Sequence, residues 1–255
     1  MDSMNALVDS LAHPIIEGAK LGLFSVSDDR KVQFSQGNLQ YNPRLEIFRF
    51  ADNQYDCLTT ENMWIGESYN GWIDLFGYGT SGWKGGRSCF RPYETNTNDA
   101  MYMINSTGTG DDLIGIYENA DWGVYNRIIN GANMHGIWRT LTYSEWTYVL
   151  NDRPNANNLK TLATVNNKRG LIIFPDNWVT PASVTILFTM SNYNDVTCNA
   201  TMWKTLEDAG AIFLPAAGIR QSNTVTEHNA KGYYLSSSHN NVTTSRTLNI
   251  DSATG

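Results

Sequence analysis

The sequence predicts an α+β domain of twisted antiparallel strands, two or three short helices and long irregular loops. Three observations carry this. The apolar runs Leu171-Ile172-Ile173-Phe174-Pro175 and Ala211-Ile212-Phe213-Leu214-Pro215 read as buried strands. The composition is 41% hydrophobic and 12% aromatic but only 17% charged, with 28 Asn, which suits a loop-rich, mostly β chain with many polar turns. The stretch Trp138–Trp146 reads as a strand end, a turn and a capped helix start. In it, Thr142 and Glu145 have capping-box spacing: a hydroxyl at the N-cap and a carboxylate three residues on.

The elements follow in order. Residues 1–20 form a leader in which Leu7, Val8 and Leu11 share one helical face, ended by Pro14 and Gly18. It reads either as a frayed amphipathic helix or as a docking segment for a partner or a neighbouring copy. Leu21–Val26 and Val32–Phe34 flank the turn Ser27-Asp28-Asp29-Arg30, a hairpin pattern. Asn38–Tyr41, a turn at Asn42-Pro43 and Leu45–Phe50 continue the meander, with Phe48 and Phe50 alternating around Arg49. Residues 52–137 are irregular and rich in Gly, Asn, Thr and Trp, a pattern of functional or self-packed loops. Trp64, Trp72, Trp83 and Trp122 are expected to pin those loops to the core. Gly77-Tyr78-Gly79 lacks the strand-before, helix-after setting of a phosphate loop.

After the capped helix, Trp146, Val149 and Leu150 share a face and Pro154 stops the helix. Pro181–Met190 fits strand or helix equally. Thr201–Ala209 reads as a helix with Asn199 as cap and Gly210 just past its end. Gly232–Ser238 and Arg246–Ile250 read as late strands. With no internal repeat or low-complexity linker, residues 21–255 are expected to form a single domain.

Charge and cysteine usage narrow the function classes. The net charge is −7 and no basic stripe appears, so nucleic acid is not an expected partner. No run of eighteen apolar residues exists, so no membrane span is expected. Met1–Val8 lacks the positive start and apolar core of a signal peptide. A signal outside this sequence, or release within a virus particle, would reconcile that with surface display. Cys57, Cys89 and Cys198 are scattered and odd in number, which suits buried thiols, with one bridge left open.

Several segments together resemble a known family. Arg139-x-Leu141-Thr142-x-x-Glu145-Trp146 resembles the signature helix of the formylglycine-generating-enzyme branch of the C-type lectin fold. Val32–Tyr41, Phe50–Asp56, Gly71–Thr80 and Ala120–Asn126 look like the opening and middle of a group of Bacteroidetes and gut-phage proteins. Phe174–Trp178, Phe213–Gly218 and Tyr234–Ser238 are similar to its later segments, with Leu235 where Trp is more usual. Members of this group resemble C-type-lectin-fold proteins. Some are variable proteins of diversity-generating retroelements, which randomise a late segment on a rigid scaffold. The group usually closes with an Arg and then Gly-x-Ser-Val-Arg, which is missing here. Either the fold closes differently or the sequence is a shortened form.

The resemblance implies a C-type-lectin-like scaffold, and the residues argue against catalysis on it. Oxidation of the formylglycine-generating kind uses a cysteine pair with copper in the later half of the chain, where only Cys198 lies. His228 and His239 could hold a metal, but no third ligand has a convincing spacing. His135 reads as a loop residue, Asp111 and Asp112 as a loop pair, and Asp74 and Asp121 as acceptors for backbone N–H groups. No cofactor is expected, with room only for a structural Ca2+ in the Gly/Asp/Asn loops.

The candidate ligand-binding residues are Gln221, Asn223, Glu227, His228, Asn229, Lys231, Tyr233, His239, Asn240 and Asn241. They are polar, mostly uncharged and set between core-like strands, as binding loops are. An ordinary solvated loop surface is the competing reading. The expected function is non-catalytic recognition of a cell-surface glycan or protein by a domain on a phage virion or bacterial cell surface. The alternative is a structural virion component docking on other virion proteins through residues 1–18.

Overall fold

The computed structural model describes residues 16–66, 68–83, 111–221, 223–241 and 244–252. The chain is a mixed α+β protein of short strands and few short helices. Its centre is a four-stranded sheet in the order β7-β5-β6-β8. Here β5 is Lys160–Val165, β6 Lys168–Ile173, β7 Thr197–Cys198 and β8 Ile212–Pro215. β6 lies antiparallel to β5 and β8, and β7 lies parallel to β5. Asn166 and Asn167 join β5 to β6, both with positive φ. That is the backbone a two-residue hairpin needs, and Asn tolerates it.

Both faces of this sheet are buried, which is why its strands read as continuous apolar runs. Leu162, Leu171, Ile173, Ile212 and Leu214 face Phe24, Trp146, Val149 and Ile250. Ala163, Val165, Ile172 and Phe213 face Trp203 and Leu206. The latter two lie on helix α3, Ala200–Asp208, capped by Asn199, whose side chain accepts from Met202 N. Gly170 leaves room for the packing: a Cβ there would stand 2.3 Å from Leu214 O and 2.6 Å from the Phe213 ring.

Among the described residues, four two-stranded units accompany the sheet. β1 (Phe24–Ser25) pairs with β2 (Lys31–Val32), and β3 (Leu39–Asn42) with β4 (Ile47–Phe50). β9 (Ile219–Gln221) pairs with β10 (Thr224–Thr226), and β11 (Gly232–Asn241) with β12 (Thr244–Ile250). β11 runs between two cores. Tyr234 packs on the sheet cluster, while its neighbour Leu235 packs on Tyr41, Phe48, Phe50, Trp122 and Ile128.

The capped helix forms as its spacing predicts. Helix α2, Tyr143–Thr147, runs on into a π-helical turn at Tyr148–Asp152 and stops before Pro154. Thr142 Oγ1 accepts from Glu145 N at 3.2 Å, and Glu145 Oε2 accepts from Thr142 N at 2.9 Å. Arg139 grips the same carboxylate with two hydrogen bonds of 2.7 Å. Burial pushes the Glu145 carboxyl up, but Arg139, the Thr142 N–H and Arg30 outweigh it and hold it below its usual value. Glu145→Ala removes a cap and a bidentate partner together and should cost about 1–3 kcal/mol. Urea unfolding checks this, and a loss within about 0.5 kcal/mol, the range of an ordinary surface change, would refute it.

The other carboxylates also follow expectation. Asp121, N-cap of helix α1 (Trp122–Tyr125), accepts from Gly123 N at 3.0 Å and Thr140 N at 2.6 Å. Asp74 accepts from Leu58 N at 2.7 Å. Trp122 is buried and Trp72 and Trp83 half-buried, but Trp64 is 71% exposed. Its backbone, bridged to Thr224, does the anchoring instead of its ring. Residues 181–190 are neither strand nor helix. Val184, Ile186 and Phe188 pack on the helix α3 side of the sheet, while Leu187 is exposed.

Of the leader, residues 16–20 are described, and they bond to the domain: Lys20 N donates to Phe34 O, and Gln36 N to Gly18 O. Leu7, Val8, Leu11, His13 and Pro14 lie outside the described residues, as does Cys89. No described helix is long and apolar enough to cross a membrane.

Candidate functional site

The ten predicted site residues fall into three groups rather than one. Gln221 and Asn223 lie at the β9–β10 turn, which is docked on residues 63–65: Asn223 O accepts from Ile65 N, and Val225 N donates to Met63 O. Glu227, His228, Asn229, Lys231 and Tyr233 lie at and beyond the turn that leads into β11. His239, Asn240 and Asn241 lie at the opposite end of β11. Six residue steps along the strand, roughly 20 Å, separate Tyr233 from His239, so one small ligand cannot touch both groups.

The first end of β11 is largely self-satisfied. Tyr233 OH donates to Glu227 Oε2 at 2.6 Å, which pushes the phenol's pKa up. Lys231 Nζ stands 3.2 Å from Asp251 Oδ2 and 3.7 Å from Glu227 Oε1. Asn229 is a brace: its side chain accepts from Arg169 N at 2.7 Å, and its N–H donates to Ala216 O. Glu227 and Asn229 both have positive φ, and Gly218 beneath them is compelled, since a Cβ would meet Thr226 O at 2.2 Å. This end holds the turn together and leaves His228 exposed.

The far end is built differently. Between Leu235↔Thr247 and His239↔Ser245, four steps along β11 match two along β12. This bulge re-aims the residues that follow it, as bulges do. Ser236 Oγ fills the gap, donating to Arg246 O at 2.9 Å and accepting from Ser238 N at 3.2 Å. Ser237 is clamped through its backbone: its O accepts from Leu113 N and Tyr78 OH, and its N donates to Leu141 O. Its buried hydroxyl has no partner.

His239 then turns to Asp112, whose Oδ1 accepts from its backbone N at 2.8 Å and faces its Nδ1 at 2.7 Å. A carboxylate only accepts, so Nδ1 carries the proton, and in the neutral ring Nε2 is an acceptor. Ser238 Oγ accepts from Tyr143 N at 3.2 Å, tying the start of helix α2 to the tip. The Tyr143 ring is 44% exposed, and the Arg246 guanidinium lies 4.3 Å from its centroid.

Four residues at this tip, Tyr143, Arg246, Ser238 and Asp112, escaped the sequence reading as site residues. Tyr143 looks like an ordinary first-turn helix residue, and Asp112 like half of a loop pair. Only the fold brings them together.

Both described cysteines are free. Burial pushes the Cys198 thiol up to about 11 and also raises Cys57, which disfavours the reactive thiolate at either. No three His, Cys, Asp or Glu side chains among the described residues converge as a metal-binding group. A cleft of about 570 Å3 opens beside the β3–β4 hairpin, lined by Tyr41, Phe48, Tyr125, Ile129 and His135. His135 Nδ1 lies 2.5 Å from Tyr125 O in its wall, in keeping with a loop role. No protein-family model, curated protein or solved structure matches the chain.

Proposed function

We propose that the chain is a C-type-lectin-like domain of the formylglycine-generating-enzyme-like branch and acts as a non-catalytic binder. Displayed on a virion or bacterial surface, it recognises a glycan or protein through the tip of the β11–β12 hairpin. The observation that carries this is the braced tip itself. An exposed aromatic ring, a stacked guanidinium and an imidazole held by Asp112 stand on a backbone held by the bulge, Leu113 and Leu141. Pre-organisation of this kind lowers the ordering cost of binding. Burial, which pushes the Cys198 thiol up to about 11 and raises Cys57 as well, speaks for binding over oxidase chemistry.

The test is loss of binding with retention of fold. Tyr143→Ala with Asn240→Ala should weaken attachment to target cells or an immobilised glycan by roughly tenfold or more, the scale of a central aromatic contact. Its circular dichroism and melting should stay close to those of the parent. Tyr233→Ala, at the self-satisfied end of β11, should bind normally. If the tip variant binds as well as the parent, the tip is not the site.

A further inference from the structure

We infer that the protein carries a second ligand site, apart from the hairpin tip: a stacking platform centred on Trp64 that takes a neutral disaccharide. The platform is the outer face of a three-stranded ribbon made of residues 63–65, β10 and β9.

Trp64 is the starting point. It is 71% exposed, whereas the other seven Trp are buried or half-buried. A bare indole is costly to hydrate, and Trp at the surface concentrates where a protein recognises something. The backbone fixes where this one sits. Val225 N donates to Met63 O and Ile65 N to Asn223 O, both at 3.2 Å, so Trp64 and Thr224 are the non-hydrogen-bonded pair of an antiparallel bridge. Side chains in such a pair stand closest together and on one face. Thr224 pairs in turn with Gln221, and Thr226 with Ile219. The register therefore sets Trp64, Thr224, Thr226 and Gln221 on the same side. The residues between them hold the ribbon down from beneath: Ile65 and Val225 are 3% exposed, and Arg220 is tied to Asn62 and Asp74.

The chemistry of this face is that of a sugar site. A pyranose shows a flat side of C–H groups that suits the electron-rich face of an indole, while its hydroxyls seek donors and acceptors at the rim. The Trp64 ring meets the first need. Gln221 and Thr226 meet the second, since neither side chain has a hydrogen-bond partner among the described residues. Tyr233, Glu227 and Lys231, by contrast, are engaged with one another. No residue on the face is charged, which suits a neutral ligand. Two strand spacings, about 10 Å, separate Trp64 from Gln221, room for a second sugar ring beside the stacked one. A stable protein partner needs roughly 800 Å2 on each side, far more than one ring and three polar side chains supply. Gly218 is bridged to Gly232 at the start of β11, so the ribbon is rooted at the end of β11 opposite the tip.

The experiment uses the full chain labelled with 15N. The probes are cellobiose, maltose, lactose and N,N′-diacetylchitobiose at about 10 mM, enough to fill most of a site of millimolar affinity. The indole N–H resonance of Trp64, identified as the one that Trp64→Phe removes, should shift with at least one disaccharide. Titration of that disaccharide should show affinity falling roughly tenfold or more in Trp64→Ala, the scale of a central aromatic contact. Gln221→Ala should weaken binding by a smaller factor. Because the ring is exposed, Trp64→Ala should melt with the parent. The double variant Tyr143→Ala, Asn240→Ala should bind the disaccharide as the parent does.

Four disaccharides that all leave the Trp64 resonance in place would overturn the inference, as would binding that survives Trp64→Ala. A shift with phosphatidylcholine vesicles and none with the sugars would assign the ring to a membrane surface and overturn it too. Loss of the disaccharide in the double variant at the tip would show one site where two are inferred.

Discussion

Arg220→Ala is expected to cost about 3–5 kcal/mol at neutral pH, the usual result of stripping one partner from a buried ion pair. Arg220 on β9 and Asp74 in the irregular region have side chains only 4% and 2% exposed. The guanidinium donates from Nε and Nη2 to Asp74 O, from Nη1 to Asn62 O and from Nη2 to Asn62 Oδ1, all between 3.0 and 3.2 Å. Its Nη2 also stands 3.8 Å from Asp74 Oδ1, an oxygen with no hydrogen bond of its own. Truncation orphans those acceptors and leaves a buried charge uncompensated.

The pH dependence separates these two costs. Burial pushes the Asp74 carboxyl up to about 6, against the opposing pull of the Leu58 N–H and Arg220. A carboxyl raised above its unfolded value of about 3.8 favours the folded state most below that value, and the benefit is lost as pH rises through about 6. From this group alone the parent should gain about 1 kcal/mol between pH 7 and pH 5, and Asp74→Asn should flatten that gain. Without Arg220 the carboxyl rises further. The deficit of Arg220→Ala should therefore shrink on going from pH 7 to pH 5. Urea unfolding at both pH values decides it: an unchanged deficit would assign the loss to the orphaned acceptors alone.

What was legible in the sequence was local. The Thr142–Glu145 box, the Asn199 cap and the roles of Asp74 and Asp121 each involve a backbone group close in sequence or a residue type with one dominant use. Leu171–Pro175 and Ala211–Pro215 were legible because burial on both faces removes every polar residue from a strand. The hairpin tip was not legible. Tyr143 and Ser238 are 95 residues apart, and Asp112 and His239 are 127 apart. No periodicity links them. The late segment read as one polar surface because the expected strand stopped at Ser238. In the fold it runs on to Asn241 and carries the polar residues at its two ends to opposite places. Trp64 shows the same limit from the other side: a Trp in a loop suggests an anchor, but a backbone bridge anchors as well and frees the ring.

The core carries the other large effect. Trp203→Ala should cost about 3–5 kcal/mol, within the usual range for deleting a buried aromatic side chain, and lower the melting temperature by roughly 10 °C. The ring is 2% exposed, and its centroid lies 5.7 Å from that of Phe213 on β8, so it fills the layer between helix α3 and the central sheet. Its Nε1 is buried without a partner, so truncation forfeits packing and no hydrogen bond. Trp203→Phe isolates this. It keeps an aromatic ring against Phe213 and removes the orphan N–H, so it should lose less than half as much as alanine. Trp203 packs on the opposite face of the sheet from Trp146, Val149 and Ile250, on whose side helix α2 and β12 carry Tyr143 and Arg246. The folded Trp203→Phe protein should therefore bind its target with the parent's affinity. A matched fall in affinity and stability would mean that the tip depends on the packing beneath helix α3, and its bracing by the bulge and Asp112 would then not be sufficient.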